Sequence, residues 1–346
     1  MRFYDILYNM MKERENGLDI IKALATLFVV CAHFYLSCGY YQAPIVSNKM
    51  IVMTFARWGF MVAVPLFLMS TGYLKINKQV TKTHYMSLLP IIITYFILCT
   101  IRMVVENAVY GKIHTFESGV KALLSYQSAW YVGMYIGLML MCPFLNKIWH
   151  ACAKRDHNIL MISLIAITMM YPLTGYVFPS YFQFVYPITY YFAGAYIREY
   201  RPQINRVLLA ALGIIMVLIN GAITMRRLVN GLYAPGILAA VDNGQNAITI
   251  AIEAACIFLI FYNVKIKNKL VSMLIGSASN CSLEIYLLQA AYNAIIYTYT
   301  GRRVAGAEGY FWLFFITVPL SFILSWITAA VYKWLYGIAD KTVKKR

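Results

Sequence analysis

Apolar residues fall in long runs, each closed by a short cluster of charged or turn-forming residues. Runs of the roughly 17 to 25 residues that a bilayer requires lie at approximately 18–38, 51–74, 85–106, 128–148, 158–175, 181–199, 205–225, 246–264, 276–299 and 309–335. They predict an all-α, polytopic membrane bundle of about ten helices. The fifth run is interrupted by Pro172 and lies close to the sixth, so that boundary is the least sharply drawn. Strand-type alternation is absent, and the runs are about twice the length of a barrel strand. Loops are short, the longest being roughly 107–127 and 226–245, which predicts a single transmembrane domain over residues 1–346 with no appended soluble domain.

Polar interruptions inside these runs are the informative positions, because ionisable groups at membrane depth cost several kcal/mol. The first run carries Lys22 and His33. Eleven residues apart, they lie on nearly the same helical face, about 16 Å apart along the axis. Asp19, one turn before Lys22, is placed to neutralise it. Arg57, Arg102, Glu106, Glu253, Glu284 and Gln289 lie one to three turns inside their own runs. Arg102 and Glu106 have the spacing of a same-face ion pair. Glu253 and Glu284 are deeper, and a carboxylate there needs a cation or a hydrated cavity. Trp130 and Tyr131 open the fourth helix, where an aromatic pair can stack on a sugar ring.

Composition agrees with a membrane protein: 61% of residues are hydrophobic, 12% are charged, and the mean hydropathy is +0.65. A soluble domain carries about 25% charged residues. The 30 Lys and Arg residues also specify an orientation. With a cytoplasmic N-terminus, inside segments hold twenty, including Arg14, Lys75 and Lys78. Outside loops hold seven, and Lys22, Arg57 and Arg102 fall within runs. That bias predicts ten crossings with both termini cytoplasmic. The net charge of +17 therefore reads as topology and contact with anionic lipid headgroups, and no basic cluster interleaved with exposed aromatics suggests nucleic acid. Residues 1–16 balance three basic against three acidic residues and precede no small-residue cleavage site, so a retained first helix is expected rather than a signal peptide. The seven cysteines are scattered without metal-site or disulfide spacing, and no metal is expected.

These residues resemble the acyltransferase-3 family of integral membrane O-acyltransferases. Arg14-Glu15-Asn16-Gly17-Leu18-Asp19-Ile20-Ile21-Lys22 leading to His33 is similar to that family's first helix, in which a basic residue, ten residues and a His recur. Val64 to Leu74, containing Ser70-Thr71-Gly72-Tyr73, resembles its second-helix Ser-Gly-aromatic segment. Similar matches follow at Ala129-Trp130-Tyr131 through Pro143-Phe144-Leu145, at Tyr191-Phe192-Ala193-Gly194, and at Ser282-Leu283-Glu284-Ile285-Tyr286-Leu287-Leu288-Gln289. The chain departs from the pattern at Gln289, where the family often has a second His, and at Lys75-x-x-Lys78, where a basic pair is usual.

The resemblance implies acyl transfer from a cytoplasmic thioester, usually acetyl-CoA, to a hydroxyl of a cell-surface or lipid-linked saccharide by a multi-pass protein of the bacterial inner membrane. It makes His33 the expected catalytic residue with Lys22, either as general base or as a covalent acyl relay. Arg14, Lys22, Lys75 and Lys78 are expected to meet the CoA phosphates. Arg57, Trp130, Tyr131, Glu253, Glu284 and Gln289 are expected to line the cavity or hold the acceptor. A secondary transporter of a saccharide or lipid-linked intermediate is the alternative, although such proteins often show duplicated halves. Here the Lys22 and His33 helix has no counterpart in the second half.

Overall fold

The computed structural model describes residues 15–111, 113–170, 177–228, 230–231, 244–300 and 308–344. Every regular element among them is helical. In chain order these are α1 (Asn16–Ser37), α2 (Asn48–Phe60), α3 (Ala63–Lys75), α4 (Lys82–Met86), α5 (Leu89–Tyr110), α6 (Phe116–Leu124), α7 (Trp130–Ala151), α8 (Lys154–Thr168), α9 (Tyr186–Tyr200), α10 (Arg206–Arg226), α11 (Ile248–Phe261), α12 (Lys269–Asn280), α13 (Ser282–Thr300) and α14 (Gly309–Lys344). Ser47, Asn205 and Asn268 cap α2, α10 and α12 by accepting backbone N–H groups, which satisfies donors that a helix start leaves without intrahelical partners.

Six segments are long and apolar enough to cross a membrane: α1, α2 with α3, α4 with α5, α7, α10 and α14. Counting α12 and α13 as one bent span makes seven. The remaining expected crossings correspond to α8, α9 and α11, which have 15, 15 and 14 residues. Each is shorter than the roughly 20 residues that fill a 30 Å hydrocarbon core. Pro172 lies outside the described residues.

Two expected helices are interrupted. The run at 51–74 divides after Phe60, because Pro65 cannot donate to Met61 and its ring crowds that carbonyl. The run at 276–299 is broken at Cys281, where α12 and α13 meet at 71°. At the other extreme, α14 extends past the expected end at 335 to Lys344.

Helix α1 is the axle of the bundle, packed against α2, α3, α11, α12, α13 and α14. Its Leu18, Ile21 and Ala25 join one buried apolar cluster with α3, α7, α9 and α11. Val30, Cys31, Phe34 and Tyr35 join a second cluster with α5, α13 and α14. The crossing of α3 and α9 is unusually close, and two glycines permit it. A Cβ on Gly72 would lie 1.8 Å from the Tyr191 carbonyl oxygen, and one on Gly194 would lie 1.9 Å from that of Met69. Beyond the crossing, Asn146 of α7 donates to the Lys75 and Lys78 carbonyls at 2.8 and 2.7 Å and accepts from Tyr191 Oη at 2.6 Å. The end of α3, and with it Lys75, is thus fixed by a backbone contact and a buried amide.

Candidate active site

A cavity of about 1070 Å³ opens inside the bundle, with Lys22, His33, Arg57, Lys75, Trp130, Tyr131 and Glu284 all on its wall. Helix α1 supplies both Lys22 and His33, so the shared face read from their spacing is the face turned to the cavity. Because α2 and α3 return antiparallel to α1, Lys75 comes back to the Lys22 end. Arg57 stays near the opposite end with Trp130.

His33 is half-buried at the middle of this passage. Its ring stands 6.1 Å from that of Tyr286, centroid to centroid. Tyr286 packs edge-on against Tyr131 at 6.0 Å, which in turn stacks on Tyr135 at 6.1 Å. The Gln289 side chain adjoins the imidazole, and the Arg102 charge is within electrostatic reach. Ser70 presents a buried hydroxyl to the cavity without a hydrogen-bond partner among the described residues.

At the Lys22 end three ammonium groups, Lys22, Lys75 and Lys333, share the wall with one carboxylate, Glu284. Lys333 Nζ pairs with Glu284 Oε2 at 3.5 Å, and the Lys22 charge is also felt at Glu284. Asp19, expected to offset Lys22, accepts a 2.6 Å hydrogen bond from Ser279 Oγ that ties α1 to the end of α12. At the other end Arg57 is 6% exposed. Its Nε donates to Tyr41 Oη at 2.6 Å, and its guanidinium lies 4.7 Å over the Trp58 ring. Trp130 is 46% exposed, leaving an indole face at that mouth.

Other expected site residues lie elsewhere. Glu253 does not line the cavity; it is 3% exposed and its Oε1 lies beside Gly59 of α2, because its side of α11 faces α2 and α10 rather than α1. Lys78 is exposed beyond the end of α3 and is not on the cavity wall. Gln289 adjoins His33 without being among the lining residues. Arg14 lies outside the described residues. Arg102 and Glu106 do form the expected pair, Nε to Oε1 at 2.7 Å; His114 joins at 2.9 Å, and Arg102 also donates to the Ser128 carbonyl at 2.7 Å.

Two wall residues were not singled out by sequence. Tyr286 lies inside a quoted motif, so its signal was available. Lys333 is one of the twenty cations on the inside segments, and nothing in the last apolar run distinguishes a cation aimed into the bundle from one reaching for headgroups.

An all-helical bundle with six or seven membrane-length apolar segments, hollowed by a cavity with charged walls, defines a multi-pass membrane protein. A family model described as an acyltransferase domain, the acyltransferase-3 model, matches residues 15–330, nearly the whole chain. The chain belongs to the acyltransferase-3 family, and acyltransferase activity is the function that membership carries. Comparisons with curated proteins and with solved structures give no match.

Proposed function

We propose that the protein is an O-acyltransferase, most simply an O-acetyltransferase, that moves an acyl group from cytoplasmic acyl-CoA to a hydroxyl of a cell-surface or lipid-linked saccharide. The observation that carries this reading is the position of His33 on one cavity, between an end bearing Lys22, Lys75 and Lys333 and an end bearing Arg57 and Trp130. Three cations against one carboxylate suit the phosphates of a CoA head group. A half-exposed indole suits a sugar ring. The wider topology in this reading is ten crossings with both termini cytoplasmic, α8, α9 and α11 being short crossings. That arrangement sets the lysine-rich end inside and the Trp130 end outside, as the twenty-to-seven charge bias requires.

In the direct route, neutral His33 takes the proton of the acceptor hydroxyl as its oxygen attacks the thioester carbonyl. The C–S bond then breaks, and the imidazolium returns the proton to the CoA thiolate. In the relay route, the imidazole attacks first and CoA thiol leaves. The hydroxyl then takes the acyl group from the acyl-imidazole. In either case one ring nitrogen must present a lone pair, and a carboxamide beside the ring at Gln289 suits it by accepting the N–H of the other nitrogen. Arg57 and the tyrosine wall are placed to stabilise negative charge or hold the acceptor.

Purified protein in nanodiscs, incubated with radiolabelled acetyl-CoA and a surface saccharide, is expected to release free CoA and label the saccharide. Absence of both hydrolysis and transfer, with no measurable acetyl-CoA binding, overturns the proposal. A single-turnover incubation without acceptor separates the routes, because release of one equivalent of CoA per protein with the label still held by the protein marks the relay.

A further inference from the structure

We infer that Lys333 is a positioning residue: it holds the break between α12 and α13 open and so shapes the lysine-rich end of the cavity. The break puts Ser279, Asn280, Cys281, Ser282 and Glu284 on the cavity wall. No proline lies at the break, since residues 277–284 read Ser-Ala-Ser-Asn-Cys-Ser-Leu-Glu, and Gly276 sits about one turn earlier within α12. A side chain inserted into the hydrogen-bond ladder is one recognised cause of a sharp kink, and the last carbonyls of α12 need partners. Lys333 supplies both. Its Nζ donates to the Asn280 carbonyl, the last of α12, and pairs at 3.5 Å with Glu284 in the first turn of α13. Trp326, two turns earlier on the same face of α14, donates from Nε1 to Ser277 Oγ at 3.1 Å. Helix α14 thus grips the break from both sides. A lysine merely reaching for headgroups would not place its nitrogen on a helix-terminal carbonyl.

That the shaped end receives the acyl donor rests on the proposed function. The position of the break does not, and the two are separable. Cys281 lies at the break on the cavity wall and is 3% exposed, so its alkylation by N-ethylmaleimide, read by peptide mass spectrometry on the full-length protein, reports how far the break opens whether or not the protein is active. Lys333→Met is expected to speed Cys281 labelling about tenfold, because breaking the tie lowers the cost of local opening. It is also expected to raise the acyl-CoA KM about tenfold, the range of one charge-assisted hydrogen bond, with kcat within about twofold. Lys333→Arg, which keeps the charge and a donor, should restore both to within about threefold. Unchanged Cys281 labelling in Lys333→Met overturns the inference, as does faster labelling that Lys333→Arg fails to rescue. Should Lys333→Met not insert, Glu284→Gln removes one of the two ties and must itself speed labelling. Faster labelling in a parent protein that never turns over acyl-CoA leaves this inference standing and sinks the functional reading.

Discussion

Gly72→Ala sets two known effects against each other at the α3 and α9 crossing. Alanine is favoured over glycine in a helix by about 1 kcal/mol, so propensity alone raises stability. Sterics demand the opposite. The added Cβ would sit 1.8 Å from the Tyr191 carbonyl oxygen, whereas real Cβ contacts stay beyond 3.0 Å. The helices must therefore separate by 3.0 − 1.8, or at least 1.2 Å. The opposing atom is backbone, so no rotamer change can relieve it. Overpacking of this kind costs about 1 to 3 kcal/mol or more, and close approach through small residues is the main attraction between helices in lipid. The net expectation is a loss of about 2 kcal/mol, seen as a fall of roughly 5 °C in the unfolding midpoint in detergent. Gly137→Ala on α7 is the control, because a Cβ there meets nothing within 4 Å; it should be neutral or slightly stabilising. Gly194→Ala opens the same crossing from the other side, so the double variant should cost less than the sum of the two singles. An unchanged or raised midpoint for Gly72→Ala would refute the close crossing.

The remaining expectations concern the site and its orientation. His33→Gln keeps hydrogen bonding but removes basicity, and it should lower transfer by about 10² to 10⁴-fold while the protein still purifies as a monodisperse species; near-normal turnover would make the imidazole structural. Lys22→Ala should weaken coenzyme A binding by about 1.5 to 3 kcal/mol, measured by calorimetry, as befits a lost charge-assisted hydrogen bond, with Lys22→Arg milder; equal affinity in Lys22→Ala would remove the cation from the donor site. Cysteines placed at Lys78 and Arg227 should be labelled from opposite sides of sealed vesicles, and labelling of both from one side would rule out the proposed orientation.

The helical class, the six long spans and the shared face of Lys22 and His33 were all legible in the chain, because each rests on periodicity or run length. The break at Cys281 was not, since an uninterrupted apolar count passes over it. Its trace is the run Gly276-Ser277-Ala278-Ser279-Asn280, in which Ser and Asn compete with the backbone for hydrogen bonds and favour helix ends. The runs around α9 and α11 extend beyond the α-helices, because apolar residues also fill the flanking segments, such as the 3-10 turn Ser180–Val185 that leads into α9. The depth of Glu253 was read correctly and its direction was not. Depth follows from position along a helix, whereas direction depends on which neighbours the fold brings to that face.

The histidines show how the fold resolves what composition leaves level. The chain has five, and four are engaged in ways that leave little for chemistry. His84 Nε2 meets the Met139 carbonyl at 2.8 Å, and His150 Nε2 meets that of Ile76 at 3.0 Å. His114 bonds Glu106 at 2.9 Å. His157 uses both nitrogens, on Tyr200 Oη at 2.6 Å and the Trp149 carbonyl at 2.8 Å, with its ring stacked 3.7 Å from that of Trp149. Each of these rings joins two elements and gains its stability from the bond it makes. His33 is the one histidine on the cavity wall, and its neighbours there are a tyrosine ring and a carboxamide. A structural histidine in an apolar bundle is expected to end on a carbonyl or a carboxylate, because burying an unsatisfied ring nitrogen costs about 1 to 3 kcal/mol. His33 instead turns toward open space large enough for substrates, midway between a cationic end and an aromatic one. A ring so placed on the cavity wall can meet a partner that arrives with the reaction.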